Sequence, residues 1–343
     1  MLRLNRPLLL ALVIAVVACR AAVAGMVHDI VGQVSLASYR DYLDNCLYTR
    51  IGNDRRAGDV LGAHHNLARD FVQNEFVSFG LTTSLDFFVN AANGATGANV
   101  VGVHVGTVMP DNIYIVGAHY DSTNSRGSGS GANEGAPGAD DNASGVAGVL
   151  EAARVISQYQ LQSTVIFIAF DHEEQGMVGS AHYANEHSGD NIRGMVSLDM
   201  IGYSGNNPDK VRLHPGSASL TTTRDELADA LWEYGGITAP LRGEFNWSDH
   251  APFGSFGEGS CLVIEYDFST NPHYHMWSDS VDTVGYIDYE YATAITKGTV
   301  GYLLDNAVLV IPEPGTALLA IGGTMGLFFA FGRRANRGSR CSA

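Results

Sequence analysis

Lysine is nearly missing from this chain: Lys210 and Lys297 are the only two in 343 residues. Arginine does not make up the difference, since 20 basic residues face 36 acidic ones for a net charge of −16. A surface of that sign repels polyphosphate backbones and anionic lipid, which disfavours a nucleic-acid function. Cysteine is scarce as well, with four in all. Cys19 and Cys341 fall in the end segments, and nothing in the separation of Cys46 from Cys261 argues that they pair. No repeat of fixed period is visible, and disorder is excluded by 45% hydrophobic residues against 16% charged. The length suits one large α/β domain or two ordinary ones.

Both ends read as addresses. Arg3 and Arg6, an apolar run from Pro7 to Ala18 and the small-residue stretch Ala22-Val23-Ala24 form the pattern of a secretory signal peptide over 1–24. A lipoprotein-type site at Val16-Val17-Ala18-Cys19 stays open beside it. At the other end Pro312-Glu313-Pro314 precedes an apolar stretch from Ala317 to Phe331 and four arginines, Arg333, Arg334, Arg337 and Arg340. This order resembles the PEP-CTERM sorting tail of Gram-negative bacteria, with a plain C-terminal anchor as the alternative. The resemblance implies exosortase-like sorting machinery as a partner, membrane association through 311–343 before processing, and export to the cell surface or beyond. Residues 25–310 are the expected globular body. Setting aside 1–24 and 313–343, which together hold seven arginines and one acid, leaves thirteen basic and thirty-five acidic residues, about −22.

Within the body, periodicity predicts helices over 34–48, 61–79, 144–158, 223–234 and 289–304. Strands are predicted over 85–89, 100–105, 113–118, 164–170, 195–198, 211–214 and 261–266. Several strands are apolar throughout, as in a sheet covered on both faces. The expected fold class is α/β: a three-layer sandwich whose mixed, mostly parallel central sheet carries helices on both faces.

Polar clusters follow the apolar runs, and the carboxyl ends of strands are where such sheets bind ligands. "VIFIAFDHEEQG" delivers Asp171, His172, Glu173 and Glu174 to one point. "IVGAHYDS" ends at His119 and Asp121, "APGADDNASG" offers Asp140 and Asp141 before a helix, "VSLDMIGY" supplies Asp199, and "NPHYHMWSD" supplies His275. Histidines with carboxylates are the ligand chemistry of zinc, and cobalt or manganese suits such donors too. Asp140, Glu174 and Asp199 in one crevice would repel each other unless cations lie between them; two zinc ions offset that charge. Asp121, two residues from His119 on the same strand face, is placed to orient its imidazole.

In order and local context, His119, Asp140, Glu173-Glu174, Asp199 and His275 resemble the zinc peptidases that include bacterial leucyl aminopeptidase, glutamate carboxypeptidase and glutaminyl cyclase. The resemblance spans about residues 30–307. It implies two Zn²⁺ ions bridged by Asp140, with His119 and Asp199 completing one and Glu174 and His275 the other. It further implies Glu173 as general base for hydrolysis of peptide substrates by an activated water, with Asp121 beside it in the catalytic set. The peptide bond after the bridging aspartate is expected to be cis, at Asp140-Asp141. His172 and Asp171 are read as supporting residues.

There are departures from that pattern. Phe245 stands where the aminopeptidase has an oxyanion-stabilising tyrosine, in "GEFNWSDHAPF", which leaves Tyr203 and Tyr274 as candidate donors. Ser248, Asp249 and His250 match the same loop, either as support for Asp199 or as buried structural polarity. The leading expectation is an exported aminopeptidase, because a carboxypeptidase needs a cation for the substrate carboxylate and no arginine lies in a metal motif. Two alternatives are a glutaminyl cyclase-like acyltransferase and a non-catalytic surface protein that keeps the fold.

Overall fold

The computed structural model describes residues 23–48, 63–126 and 135–310. All but residues 23–24 of the signal-peptide expectation over 1–24, and the sorting-tail expectation over 311–343, fall outside the described residues. Among the described residues no helix is long and apolar enough to cross a membrane.

Seven strands form one mixed sheet in the order β1-β2-β4-β3-β5-β7-β6. They are β1 (Thr82–Val89), β2 (Thr96–His104), β3 (Met109–His119), β4 (Ser163–Phe170), β5 (Ile192–Leu198), β6 (Val211–Pro215) and β7 (Ser260–Glu265). The four central strands, β4, β3, β5 and β7, are mutually parallel, while β1, β2 and β6 add antiparallel edges. Every residue of β4 is buried, as an uninterrupted apolar run predicts for a strand covered on both faces.

Alternation along the strands sorts side chains into two cores. Val165, Phe167 and Ala169 enter the larger one with Val116 and Val196. Ile166, Ile168 and Phe170 enter the smaller one with Ile115 and Met195. The larger face is covered by α3 (Ala63–Ser78), α4 (Gly145–Ile156), α6 (Thr222–Ala230) and α7 (Tyr289–Ala307), and also receives residues of the short α1 (23–31) and α2 (Leu36–Asp41). The smaller face carries α5 (Val178–Glu186) and a turn at Ala251–Phe253. This is the expected three-layer arrangement.

Helix α4 is apolar nearly all round and buried along almost its whole length, which fits a helix packed between the sheet and α7. Its first residue must be small: a Cβ on Gly145 would lie 2.3 Å from Asn142 Oδ1 and 2.4 Å from the Leu198 carbonyl. Helix α7 is capped at its start by Asp288, whose side chain accepts from the Tyr291 N–H. Helix α5 has no counterpart in the sequence expectations. Its sequence VGSAHYANE packs through small residues, and the Gly179 carbonyl accepts from Asn99 Nδ2 at 2.9 Å. It therefore lacks the apolar stripe by which periodicity finds a helix.

Candidate metal centre

Because β3, β4, β5 and β7 run parallel, their carboxyl ends emerge along one edge. His119 is the last residue of β3, Glu173 and Glu174 follow β4, Asp199 follows β5, and the loop after β7 carries His275. Asp141 comes from the irregular turn that opens α4. Four non-glycine residues near these ends, His172, Met177, Met200 and His275, hold φ between 54° and 59°. Left-handed backbone costs such residues on the order of 1 kcal/mol or more, and it concentrates where a site dictates direction.

The centre of the cluster is Asp141. Its Oδ1 lies 3.3 Å from His119 Nε2, and its Oδ2 lies 3.1 Å from His275 Nε2. His119 Nε2 is also 3.6 Å from Asp199 Oδ1, and His275 Nε2 is 3.2 Å from Glu174 Oε2. One carboxylate therefore faces two donor sets, His119 with Asp199 and Glu174 with His275. Within each set the ligand atoms lie within 4.8 Å of one another, as they do for His119, Glu173 and Glu174.

Asp140 is not in this cluster, contrary to the sequence expectation. Its Oδ1 accepts from the Gly202 N–H at 2.6 Å and from Ser144 Oγ at 3.2 Å. Its Oδ2 accepts from Asn271 Nδ2 at 3.2 Å. Adjacent aspartates point in opposite directions, so only one can reach the histidines, and a one-residue shift in "GADDN" chooses which. The cis peptide is likewise Asp141-Asn142, one bond later than expected. The amides of both aspartates donate to Asp279, Asp140 N at 2.7 Å and Asp141 N at 3.0 Å. Asp279 escaped the sequence reading, although it lies in the same "NPHYHMWSD" segment as His275.

Asp121 holds two strand ends together. It lies 3.5 Å from His119 Nδ1, and its backbone carbonyl is 3.1 Å from the same nitrogen. Its carboxylate oxygens accept from the Glu173 N–H at 3.1 Å and the Glu174 N–H at 3.2 Å. It thus orients a histidine, as the sequence suggested, and also fixes the backbone of both glutamates. Asp171 turns away and pairs with His65 at 2.7 Å, while His172 is fully buried.

The electrostatics follow from crowding. Burial, with Asp249, Asp199 and Asp121 nearby, pushes Glu173 well above the ordinary carboxylate range against the pull of His119. Burial, Asp141 and Glu173 do the same to Glu174. Burial opposes it, yet the two histidines hold Asp141 below that range. Burial would also depress His119, but Asp121, Asp141 and Asp199 raise it well above the ordinary histidine value. Converging imidazoles and carboxylates suit divalent cations. Glu174 adds a specific fit, since its Oε1 is buried without any hydrogen-bond partner, an acceptor a cation would satisfy.

The cluster forms one wall of a cleft of about 620 Å³. Met177, Met200, Phe245, Ile264 and Phe268 supply apolar surface, and Tyr274 lines it beside His275 at a ring separation of 3.9 Å. Tyr203 is absent from the lining and packs on Tyr286 instead. Of the two candidate oxyanion donors, only Tyr274 faces the cleft. Ser248, Asp249 and His250 are fully buried, and His250 Nε2 donates to the Phe245 carbonyl at 2.6 Å. A separate cleft of about 550 Å³ beside Trp232 contains none of the cluster.

A mixed α/β sheet with histidines and carboxylates gathered about one aspartate at its carboxyl edge places a candidate metal centre where open α/β sheets bind ligands. Residues 99–301 match Peptidase family M28, and the chain belongs to that family. It is similar to a protein of Pyrenophora tritici-repentis described as "Probable zinc metalloprotease", 36% identical over 150 residues, 42% of this chain and 34% of that one. The chain thus spans about a third of the length of that relative. It is also similar to leucine aminopeptidase 1 of Arthroderma otae, 31% identical over 250 residues, 64% of this chain and 65% of that one. In fold it matches the crystal structure of Porphyromonas gingivalis glutaminyl cyclase, with a TM-score of 0.66 at 22% identity over 79% of this chain and 98% of that one.

Proposed function

We propose that the protein is a zinc-dependent exopeptidase with two Zn²⁺ ions, and specifically an aminopeptidase. The observation that carries this reading is the Asp141 carboxylate with each oxygen against a different histidine. His119 and Asp199 would hold one ion, Glu174 and His275 the other, and Asp141 both. Bound zinc lowers the pKa of water towards about 7 and withdraws charge from a carbonyl oxygen. Glu173, not needed as a ligand, takes the proton of the attacking water and passes it to the leaving amine. Burial beside other carboxylates raises its pKa above the ordinary carboxylate range, which strengthens it as a proton acceptor. Asp121 keeps Glu173 in place through its backbone N–H. The Tyr274 hydroxyl is the cleft's phenolic donor for the developing oxyanion.

Aminopeptidase is favoured by the leucine aminopeptidase relative. Glutaminyl cyclase chemistry shares the fold, but a second donor set around Asp141 is superfluous to a one-zinc acyl transfer. The test is an assay of the purified protein on aminoacyl reporters, with and without chelator, alongside ammonia release from a peptide with N-terminal glutamine. Chelator-sensitive cleavage of the reporters, lost by roughly 10²- to 10⁴-fold in Glu173→Ala, supports the reading; ammonia release without cleavage selects the cyclase. A protein that retains only the fold would be indifferent to Glu173→Ala. We further infer export from the charged and apolar pattern of 1–24 and 311–343, to be checked by locating the protein in fractionated cells.

A further inference from the structure

The sequence offered no cation to the site, yet the folded cleft contains one. Among the described residues lining it, Arg126 alone carries a permanent positive charge, in the same cleft as Asp141, Glu173 and Glu174. Several other arginines are occupied by acids, Arg40 with Asp44 at 2.9 Å, Arg154 with Glu151 at 2.6 Å and Arg224 with Asp225 at 2.7 Å, while Arg212 and Arg242 lie against the Tyr266 ring and do not line the cleft. Arg126 has no such pair among the described residues. Its guanidinium carbon instead lies 4.2 Å from the centre of the Tyr274 ring, within cation–π range. Its backbone is tied to the loop that carries His275. Arg126 N donates to the His275 carbonyl at 3.1 Å, and Ser125 Oγ lies 3.0 Å from His275 Nδ1.

We propose that Arg126 binds a carboxylate of the substrate, so that the preferred substrates are short peptides with a carboxylate close to the scissile bond. This rests on the peptidase reading above and sharpens it. In a body of strongly negative charge, a guanidinium in the cleft wall without an acidic partner favours an anionic substrate group over a neutral one. A planar fork also matches a carboxylate in two parallel hydrogen bonds. The carboxylate has two possible sources, the C-terminus of a dipeptide or an acidic side chain on the second residue.

Two matched pairs separate the sources: Leu-Ala against Leu-Ala-amide, and Leu-Asp-amide against Leu-Asn-amide, each assayed with the zinc-loaded full chain. Wild type is expected to favour the carboxylate member of at least one pair by about tenfold in kcat/KM, carried by KM. The preference should shrink between about 20 and about 300 mM salt. Arg126→Gln should bring the ratio to about one, and Arg126→Lys should restore part of it. Preference in the first pair assigns the chain terminus; preference in the second assigns the side chain. Equal handling of both pairs by wild type, or a preference that survives Arg126→Gln, overturns the proposal while leaving the peptidase reading intact. Calorimetric affinities of the same pairs for Glu173→Gln do not depend on turnover. If nothing is cleaved, the peptidase reading fails, and equal affinities there overturn the Arg126 proposal on its own terms.

Discussion

Replacing Asp121 by asparagine tests whether the site is held from behind. Asp121 is fully buried, and its two carboxylate oxygens serve three partners: the Glu173 N–H, the Glu174 N–H and His119 Nδ1. Asparagine keeps the shape but turns one oxygen into a donor. Whichever oxygen is lost, one glutamate N–H then faces another N–H in a buried place. A hydrogen bond to a charged acceptor contributes about 1.5–3 kcal/mol, and an orphaned buried donor costs about as much. We expect Asp121→Asn to destabilise the fold by about 2–3 kcal/mol. Zinc affinity should fall by about 10- to 100-fold, the range for residues that orient ligands. Chelator-competition titration measures that affinity directly, thermal unfolding measures the stability, and circular dichroism confirms that the fold persists. Zinc affinity within twofold of wild type would refute the account of Asp121 as the residue that fixes both glutamates and His119.

The two adjacent aspartates should part company. Asp141→Asn is expected to remove most zinc from the purified protein, whereas Asp140→Asn should retain it with a loss of stability, because Asp140 serves Gly202, Ser144 and Asn271; metal content per chain decides between them. His250 makes acid stability pH-dependent. Burial holds its pKa down to about 4 against 6.5 unfolded, so stability is full above about pH 6.5. Below that the unfolded chain takes a proton that the folded one refuses, and stability falls by up to about 3 kcal/mol as pH drops to about 4. His250→Gln should flatten that part of the stability curve, and an unchanged slope would show the cause to lie elsewhere.

Much of the site was visible before folding because strand ends announce themselves. An apolar run that stops at a polar cluster locates His119, Glu173-Glu174 and Asp199 at the carboxyl edge of the sheet, and joint occurrence with His275 identifies the donor chemistry. Helix α5 stayed hidden because a close approach through small residues leaves no apolar stripe. Asp279 stayed hidden because its role, accepting from two amides 138 and 139 positions away, has no local trace. Arg126 lies in no metal motif of the sequence, and only the fold brings it beside Tyr274.

Residue types and local periodicity were enough to determine the α/β layering, the elements that end at the site and the kinds of ligand they present, since each depends on neighbours close along the chain. The choice of Asp141 over Asp140, the selection of Tyr274 over Tyr203 and the entry of Arg126 were decided only in three dimensions. Each depends on the direction of a side chain relative to elements far off in sequence, and a shift of one residue reverses that direction without altering composition or pattern.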